Sequence, residues 1–184
     1  MAEQISVLFV CLGNICRSTM AEGVFQSLAK KSPYQARIGK IDSCGTGGYH
    51  IGDEPDDRTM SMLEANGIMD YVHAARKVIG YEPRGRQRRA DCVEKVNASD
   101  FDKFDYIFAM DRSNLADLQR MKQRKPNSKA QVMLFGQYSG TGTAEVISDP
   151  YYGGRQGFAT AYEQATRFSK NFLKDVFPDV EAEP

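Results

Sequence analysis

Residues 5–18 read ISVLFVCLGNICRS, and their order decides how the rest of the chain is read. Ile5 to Val10 is a short apolar run of strand length, interrupted only by Ser6, the pattern of a strand covered on both faces. Cys11 ends it. A short loop rich in small and polar residues follows. From Thr19 to Lys31 the apolar or small residues Met20, Ala21, Val24, Phe25, Leu28 and Ala29 fall at helical spacing. A strand that hands over to a helix in this way is the first half of a βαβ unit.

The alternation continues downstream. Ala36–Ser43 reads as a second strand, and Asp56–Ala65 as a helix closed by Asn66-Gly67. Phe104–Met110 is a third strand, followed by a helix over Asp111–Met121 capped by Asp111 or Ser113. Gln131–Phe135 is a fourth strand, and Gly157–Phe177 a long amphipathic helix. This order predicts one α/β domain over residues 1–184, with a central four-stranded parallel sheet flanked by helices on both faces. Ligands of such sheets bind beyond the carboxyl ends of the strands. Cys11 lies on that edge.

Composition narrows the function. Lys plus Arg and Asp plus Glu are both 24, so zero net charge gives no reason to expect nucleic acid or an anionic membrane as partner. No apolar run reaches the roughly 20 residues of a spanning helix, and the first residues lack a basic signal region and a cleavage site. The chain is long enough to need no disulfide staples, so Cys11, Cys16, Cys44 and Cys92 read as thiols of a reduced, cytoplasmic protein. His50 and His73 are the only histidines and no Cys-x-x-C pair exists, so neither a metal nor a cofactor is expected.

The loop itself carries the chemistry. Gly13 and Asn14 tolerate positive φ, so CLGNICRS can curl with its backbone N–H groups pointing inward. A ring of donors at a helix N-terminus is an anion site, and a tetrahedral phosphate matches it. Arg17 adds a planar fork for two phosphate oxygens. The same positive potential favours the Cys11 thiolate, a nucleophile for phosphoryl transfer. Ser18 is placed to stabilise that thiolate through its hydroxyl. The competing reading makes Cys11 a small buried hydrophobe and Arg17 a solvated helix-start residue. For Cys16, core packing stands beside a redox role, in which it traps an oxidised Cys11 as a disulfide.

VCLGNICRS closely resembles the signature loop of the low-molecular-weight protein tyrosine phosphatases. DSCGTGGYHIG (42–52), HAAR (73–76), DFDKFDYIFAMDRSNL (100–115) and SDPYYGG (148–154) follow in that family's order. The resemblance implies a Rossmann-like phosphatase fold, with Cys11 as nucleophile, Arg17 binding the phosphoryl group together with Leu12, Gly13, Asn14, Ile15, Cys16 and Ser18, and Asp149 as general acid. On the residues alone, Asp149-Pro150 is also a plain turn. The resemblance further implies that Asn14, Ser43 and His73 brace the loop by hydrogen bonds. Tyr49 and Tyr151 match walls of the substrate cleft, with Leu12 and Ile15 at its rim. Many relatives carry Trp where Tyr49 stands. Tyr152 matches a site of tyrosine phosphorylation, with a wall or packing role as the alternative. The implied substrates are phosphotyrosine proteins and small aryl phosphates, with acid phosphatase activity, on a monomer.

One stretch departs from the family. Between Arg76 and Asp100 the family has only a few residues, whereas this chain has KVIGYEPRGRQRRADCVEKVNAS. Lys77–Lys95 holds six basic and three acidic residues without apolar period, which predicts a mobile basic loop inserted at 78–95. Lys77-Val78 and Lys95-Val96 repeat one dipeptide at its borders. Removing 78–95 restores the family spacing in frame, as a retained intron would require. Two other functions compete. A thioredoxin-coupled arsenate reductase uses a similar loop but needs two relay cysteines, and only Cys92 is suitably placed. A catalytically inactive phosphotyrosine-binding module requires loss of Cys11, Arg17 or Asp149, and all three are present.

Overall fold

The computed structural model describes residues 4–31, 33–48, 50, 52–73 and 96–180. Tyr49, Cys92 and the whole of 78–95 lie outside the described residues.

The chain forms β1 (Ile5–Cys11), α1 (Arg17–Ala29), β2 (Ile38–Gly45), α2 (Asp57–Ala65), the short α3 (Asp100–Lys103), β3 (Tyr106–Ala109), α4 (Arg112–Lys122), β4 (Gln131–Leu134) and α5 (Arg155–Val176). The four strands make one sheet in the order β2-β1-β3-β4, and every neighbouring pair is parallel. The expected α/β architecture is therefore present. Only α3 went unread, and at four residues it has no helical period to show.

Burial explains why β1 is continuously apolar from Val7 to Cys11. Val7, Phe9 and Cys11 enter one core with α1 and α5, while Leu8 and Val10 enter a second core with Phe101, Phe104 and Leu118. Alternate side chains of one strand thus fill both layers. The first layer is aromatic. Phe9 packs against Phe25, Phe108 and Phe135 with ring centroids 5.1–5.8 Å apart, and Phe172 of α5 closes over Phe25 and Phe108. Helix α1 approaches α2 closely at Gly23, where a Cβ would come within 2.8 Å of Leu63 Cδ1.

The sheet order positions the site. From β1 the chain crosses to β2 on one side, while β3 lies on the other, so the order reverses between β1 and β3. At that point the chain leaves the sheet after Cys11 and after Ala109. Met110 N donates to Val10 O at 3.0 Å, and Ile147 N donates to Met110 O at 2.8 Å, which brings the approach to Asp149 onto the same edge.

Candidate active site

Helix α1 begins without help from its own side chains. Cys16 occupies the N-cap position with no side-chain cap, and no acid stands in the first turn. The helix dipole and its first N–H groups therefore face the loop uncompensated, as an anion site requires. The loop turns at Asn14, which alone among non-glycine described residues has positive φ, at 56°. Gly13 was expected to share that conformation and does not. It serves a close approach instead, since a Cβ there would lie 2.9 Å from His50 Cδ2.

The Cys11 sulfur sits inside this turn. Asn14 N donates to Sγ at 3.1 Å, and Ser18 Oγ lies 3.1 Å from it. The proton direction follows from the neighbours. Asn14 Nδ2 donates at 2.8 Å to both Ser18 Oγ and Ser43 Oγ, so each hydroxyl is left to donate onward. Ser43 donates to Glu22 Oε2 at 2.7 Å, which directs the Ser18 hydrogen, by the same logic, toward sulfur.

Glu22 is the hub below the loop. Its Oε2 also accepts from Tyr71 OH at 2.9 Å and meets His73 Nδ1 at 3.1 Å, while Gln26 donates to Oε1 at 3.0 Å. Glu22 is buried, and both of its oxygens have the polar partners that burial demands. Burial first and Glu22 second push the Tyr71 phenol well above its ordinary range, so Tyr71 remains a donor.

Arg17 is 4% exposed and spans two carboxylates. Nη1 reaches Asp111 Oδ2 at 2.6 Å and Nη2 reaches Asp149 Oδ2 at 2.9 Å. Burial opposes its charge, yet the Cys11 sulfur and the two carboxylates outweigh that cost and raise its proton affinity. Cys16 behaves oppositely. Burial, then the negative field of Asp56, pushes its thiol up to about 12. It packs in the core beneath the loop as a neutral thiol.

A cavity of about 420 Å³ opens above the sulfur, lined by residues 11–17 with His50, Asp149, Tyr151 and Tyr152. Every expected phosphate-loop residue except Ser18 reaches it. Ser18, Ser43 and His73 lie in the hydrogen-bonded chain underneath. Leu12, 44% exposed, stands at the rim as expected. Ile15, at 8%, does not, because its side chain turns into the core and forms wall. Tyr152 is 95% exposed, so it is no packing residue, though its ring meets the edge of Tyr151 at 5.0 Å. His50, which the sequence does not single out, lines the cavity with its ring centroid 6.1 Å from that of Tyr151 and is held by Asp53 at 2.8 Å.

Comparison with known proteins agrees with this geometry. A sequence model of the family described as low molecular weight phosphotyrosine protein phosphatase matches residues 6–84 and 81–182, two stretches that meet inside the divergent segment. The chain is 48% identical over 176 residues to a protein of Schizosaccharomyces pombe with that name, covering 96% of this chain and 99% of the relative. The human protein of the same name is 40% identical over 176 residues, covering 95% and 98%. The chain therefore belongs to the low molecular weight phosphotyrosine protein phosphatase family. Among solved structures, a protein tyrosine phosphatase of Entamoeba histolytica with Hepes in its active site superimposes with TM-score 0.74 at 28% identity, covering 96% of this chain and 99% of that one.

Proposed function

We propose that the protein hydrolyses phosphotyrosine and small aryl phosphates through a cysteinyl-phosphate intermediate, with Cys11 as nucleophile, Arg17 as phosphoryl ligand and Asp149 as general acid and then base. One observation carries this reading. The Cys11 sulfur accepts from a backbone N–H and a hydroxyl on the floor of a cavity that Arg17 and Asp149 also line. Both donors are aimed at the atom that must attack. The sulfur attacks phosphorus from below while the loop N–H groups and the Arg17 fork take the equatorial oxygens, whose charge they neutralise as it redistributes. Asp149 protonates the departing phenol oxygen, and its carboxylate then accepts a proton from the water that cleaves the thiophosphate. Ser18 stabilises the thiolate again as it leaves.

The Tyr151 and His50 rings give the cavity an aromatic lining, which supports phosphotyrosine over a shorter phosphoserine side chain. Among the described residues no helix is long and apolar enough to cross a membrane. The two-part match of the family supports treating 78–95 as an insertion, and transcript sequencing across the Lys77-Val78 junction tests whether it is a retained intron.

The test of the main reading is hydrolysis of an aryl phosphate without added metal. Activity is expected to be inhibited by vanadate and abolished by Cys11→Ser, with phosphate affinity retained. Residual turnover within tenfold of the parent would remove Cys11 as nucleophile.

A further inference from the structure

Arg58 is the second residue of α2, outside the residues used so far, and every nitrogen of its guanidinium has a partner. Nε and Nη2 hold Asp56 Oδ1 and Oδ2 at 2.9 and 2.7 Å. Nη1 is then aimed at the chain opposite, donating to Tyr151 O at 3.1 Å and, at the limit of bonding distance, to Gly153 O at 3.5 Å. The planar group lies over the Phe158 ring at 4.5 Å and near that of Tyr151 at 5.6 Å.

Asp56 is itself fixed. Its Oδ1 caps α2 by accepting Arg58 N at 2.9 Å, and its own N donates to Ile15 O at 2.8 Å. A continuous connection thus runs from the Cys11 loop at Ile15, through Asp56 and Arg58, to the backbone just past Asp149.

That backbone has little else to hold it. Residues 149–154 belong to no strand or helix, and 151–154 are exposed. Among the described residues, the hydrogen bonds that reach 151–153 from outside this stretch come from Arg58. The Asp149 carboxyl accepts from Tyr151 N at 3.1 Å through Oδ1, and from outside the stretch it is held by Arg17 Nη2. In the proposed reaction that nitrogen must turn to the phosphoryl group, so the anchor is lost at the moment Asp149 is needed.

We propose that Arg58 is a positioning residue, which holds the Tyr151–Gly153 backbone and thereby keeps the Asp149 carboxyl over the leaving oxygen while Arg17 binds the phosphoryl group. This rests on the reading of Asp149 as the acid. Only a guanidinium can supply the two bonds to Asp56 and a third to a carbonyl from one rigid plane. Misplacing a catalytic group by about 1 Å costs up to ~10²-fold, so loss of the clamp removes part of the acid's contribution.

The experiment measures presteady-state cleavage of aryl phosphates from nitrophenyl to phenyl by the parent, Arg58→Met, Asp149→Ala and the double variant, with inhibition by inorganic phosphate alongside. Arg58→Met is expected to lose about tenfold on phenyl phosphate but less than about twofold on an activated nitrophenyl ester. Phosphate inhibition should hold within about twofold, since Arg17 and the loop donors are intact. The double variant should be no slower than Asp149→Ala alone. A loss of equal size across the series, or losses that multiply in the double variant, overturn the proposal. So does an Arg58→Met slope parallel to the parent while Asp149→Ala steepens, which leaves the acid assignment standing. An unsteepened slope in Asp149→Ala removes the acid, and the proposal with it. If Arg58→Met does not fold, Asp56→Asn keeps the helix cap but weakens the fork, and is expected to steepen the slope with smaller amplitude.

Discussion

Asp111 binds Arg17 through Oδ2 at 2.6 Å and caps α4 through Oδ1, which accepts Asn114 N at 2.8 Å. One carboxylate at the end of β3 thus sets both the start of a helix and the plane of the buried guanidinium. The sheet's reversal point is where these demands coincide, because β1 delivers Cys11 and β3 delivers Asp111 to the same edge.

Separating the two roles gives a prediction. Asp111→Asn keeps a good helix cap but removes the charge opposite Arg17. Cleavage of aryl phosphates is expected to fall about tenfold through misorientation. Inhibition by inorganic phosphate should stay the same or strengthen, because less negative charge competes for the guanidinium. Asp111→Ala also loses the cap and should be less stable than Asp111→Asn by ~1 kcal/mol in urea unfolding. Phosphate inhibition that weakens in step with activity would show that Asp111 acts on binding alone.

Glu22 offers a test of the buried chain. Glu22→Gln places an amide against groups that now donate to the carboxylate, so at least one donor loses its acceptor. We expect a cost of about 3 kcal/mol in unfolding free energy, in the range for breaking a buried charged network. Activity should also fall, since Ser43 no longer holds Asn14 and Ser18 in place. A variant of unchanged stability would show that the network is not charge-dependent.

The redox role read for Cys16 beside Cys11 has a pH signature. Peroxide is expected to inactivate the enzyme reversibly by joining Cys11 to Cys16, with thiols restoring activity, and Cys16→Ser should recover poorly. The attacking species is the thiolate, and burial followed by Asp56 pushes the Cys16 thiol up to about 12. Below that value its thiolate fraction rises about tenfold per pH unit. Disulfide closure after a peroxide pulse should therefore keep accelerating from pH 7 through pH 9. A plateau near pH 8.5 would mean that Cys16 is solvated when it reacts.

How far the sequence could be read depended on how local each signal was. β1 announced itself because Val7 to Val10 form a continuous apolar run that ends at Cys11, and α4 because Asp111 stands at a helix start with a capping side chain. The loop was legible for the same reason, since donor ring, cysteine and arginine lie within eight residues. Glu22 was missed although a signal existed. It follows Ser18 by four positions and precedes Phe25 by three, so an acid sits on the buried stripe of α1, where a charge needs buried donors. Arg58 and Tyr71 carried no such signal, because their partners lie 93 and 49 positions away. His50 was hidden by its neighbour, as Tyr49 looked the better wall. The family resemblance sets Ile15 at the rim beside Leu12, whereas its buried side chain joins the core and the cavity wall.

Asp149 yields the sharpest expectation, because two steps of the proposed reaction need the same carboxyl in opposite protonation states. Its proton matters only in so far as the leaving oxygen is a poor leaving group. Asp149→Ala should therefore cost ~10²–10⁴-fold on phosphotyrosine, whose phenol has a pKa of about 10. An activated nitrophenyl ester needs little proton donation, so its first cleavage should be nearly preserved. Its second step is not spared, since water has lost its base. On that substrate alone the phosphorylated Cys11 enzyme should accumulate, giving a burst of nitrophenol equal to the enzyme present, followed by a slow steady rate. Phosphotyrosine should give no burst in the same variant, because formation has become the slower step. Removing Asp149 also releases Arg17 Nη2, which can only help phosphate binding, so weaker binding cannot explain either loss. Rapid-quench measurement of acid-trapped phosphoenzyme on both substrates checks the pair of outcomes. A burst on neither, with a parallel loss on both, would pass the role to another carboxylate at the cleft, and Asp53 beside His50 or Asp111 beside Arg17 would be tested next.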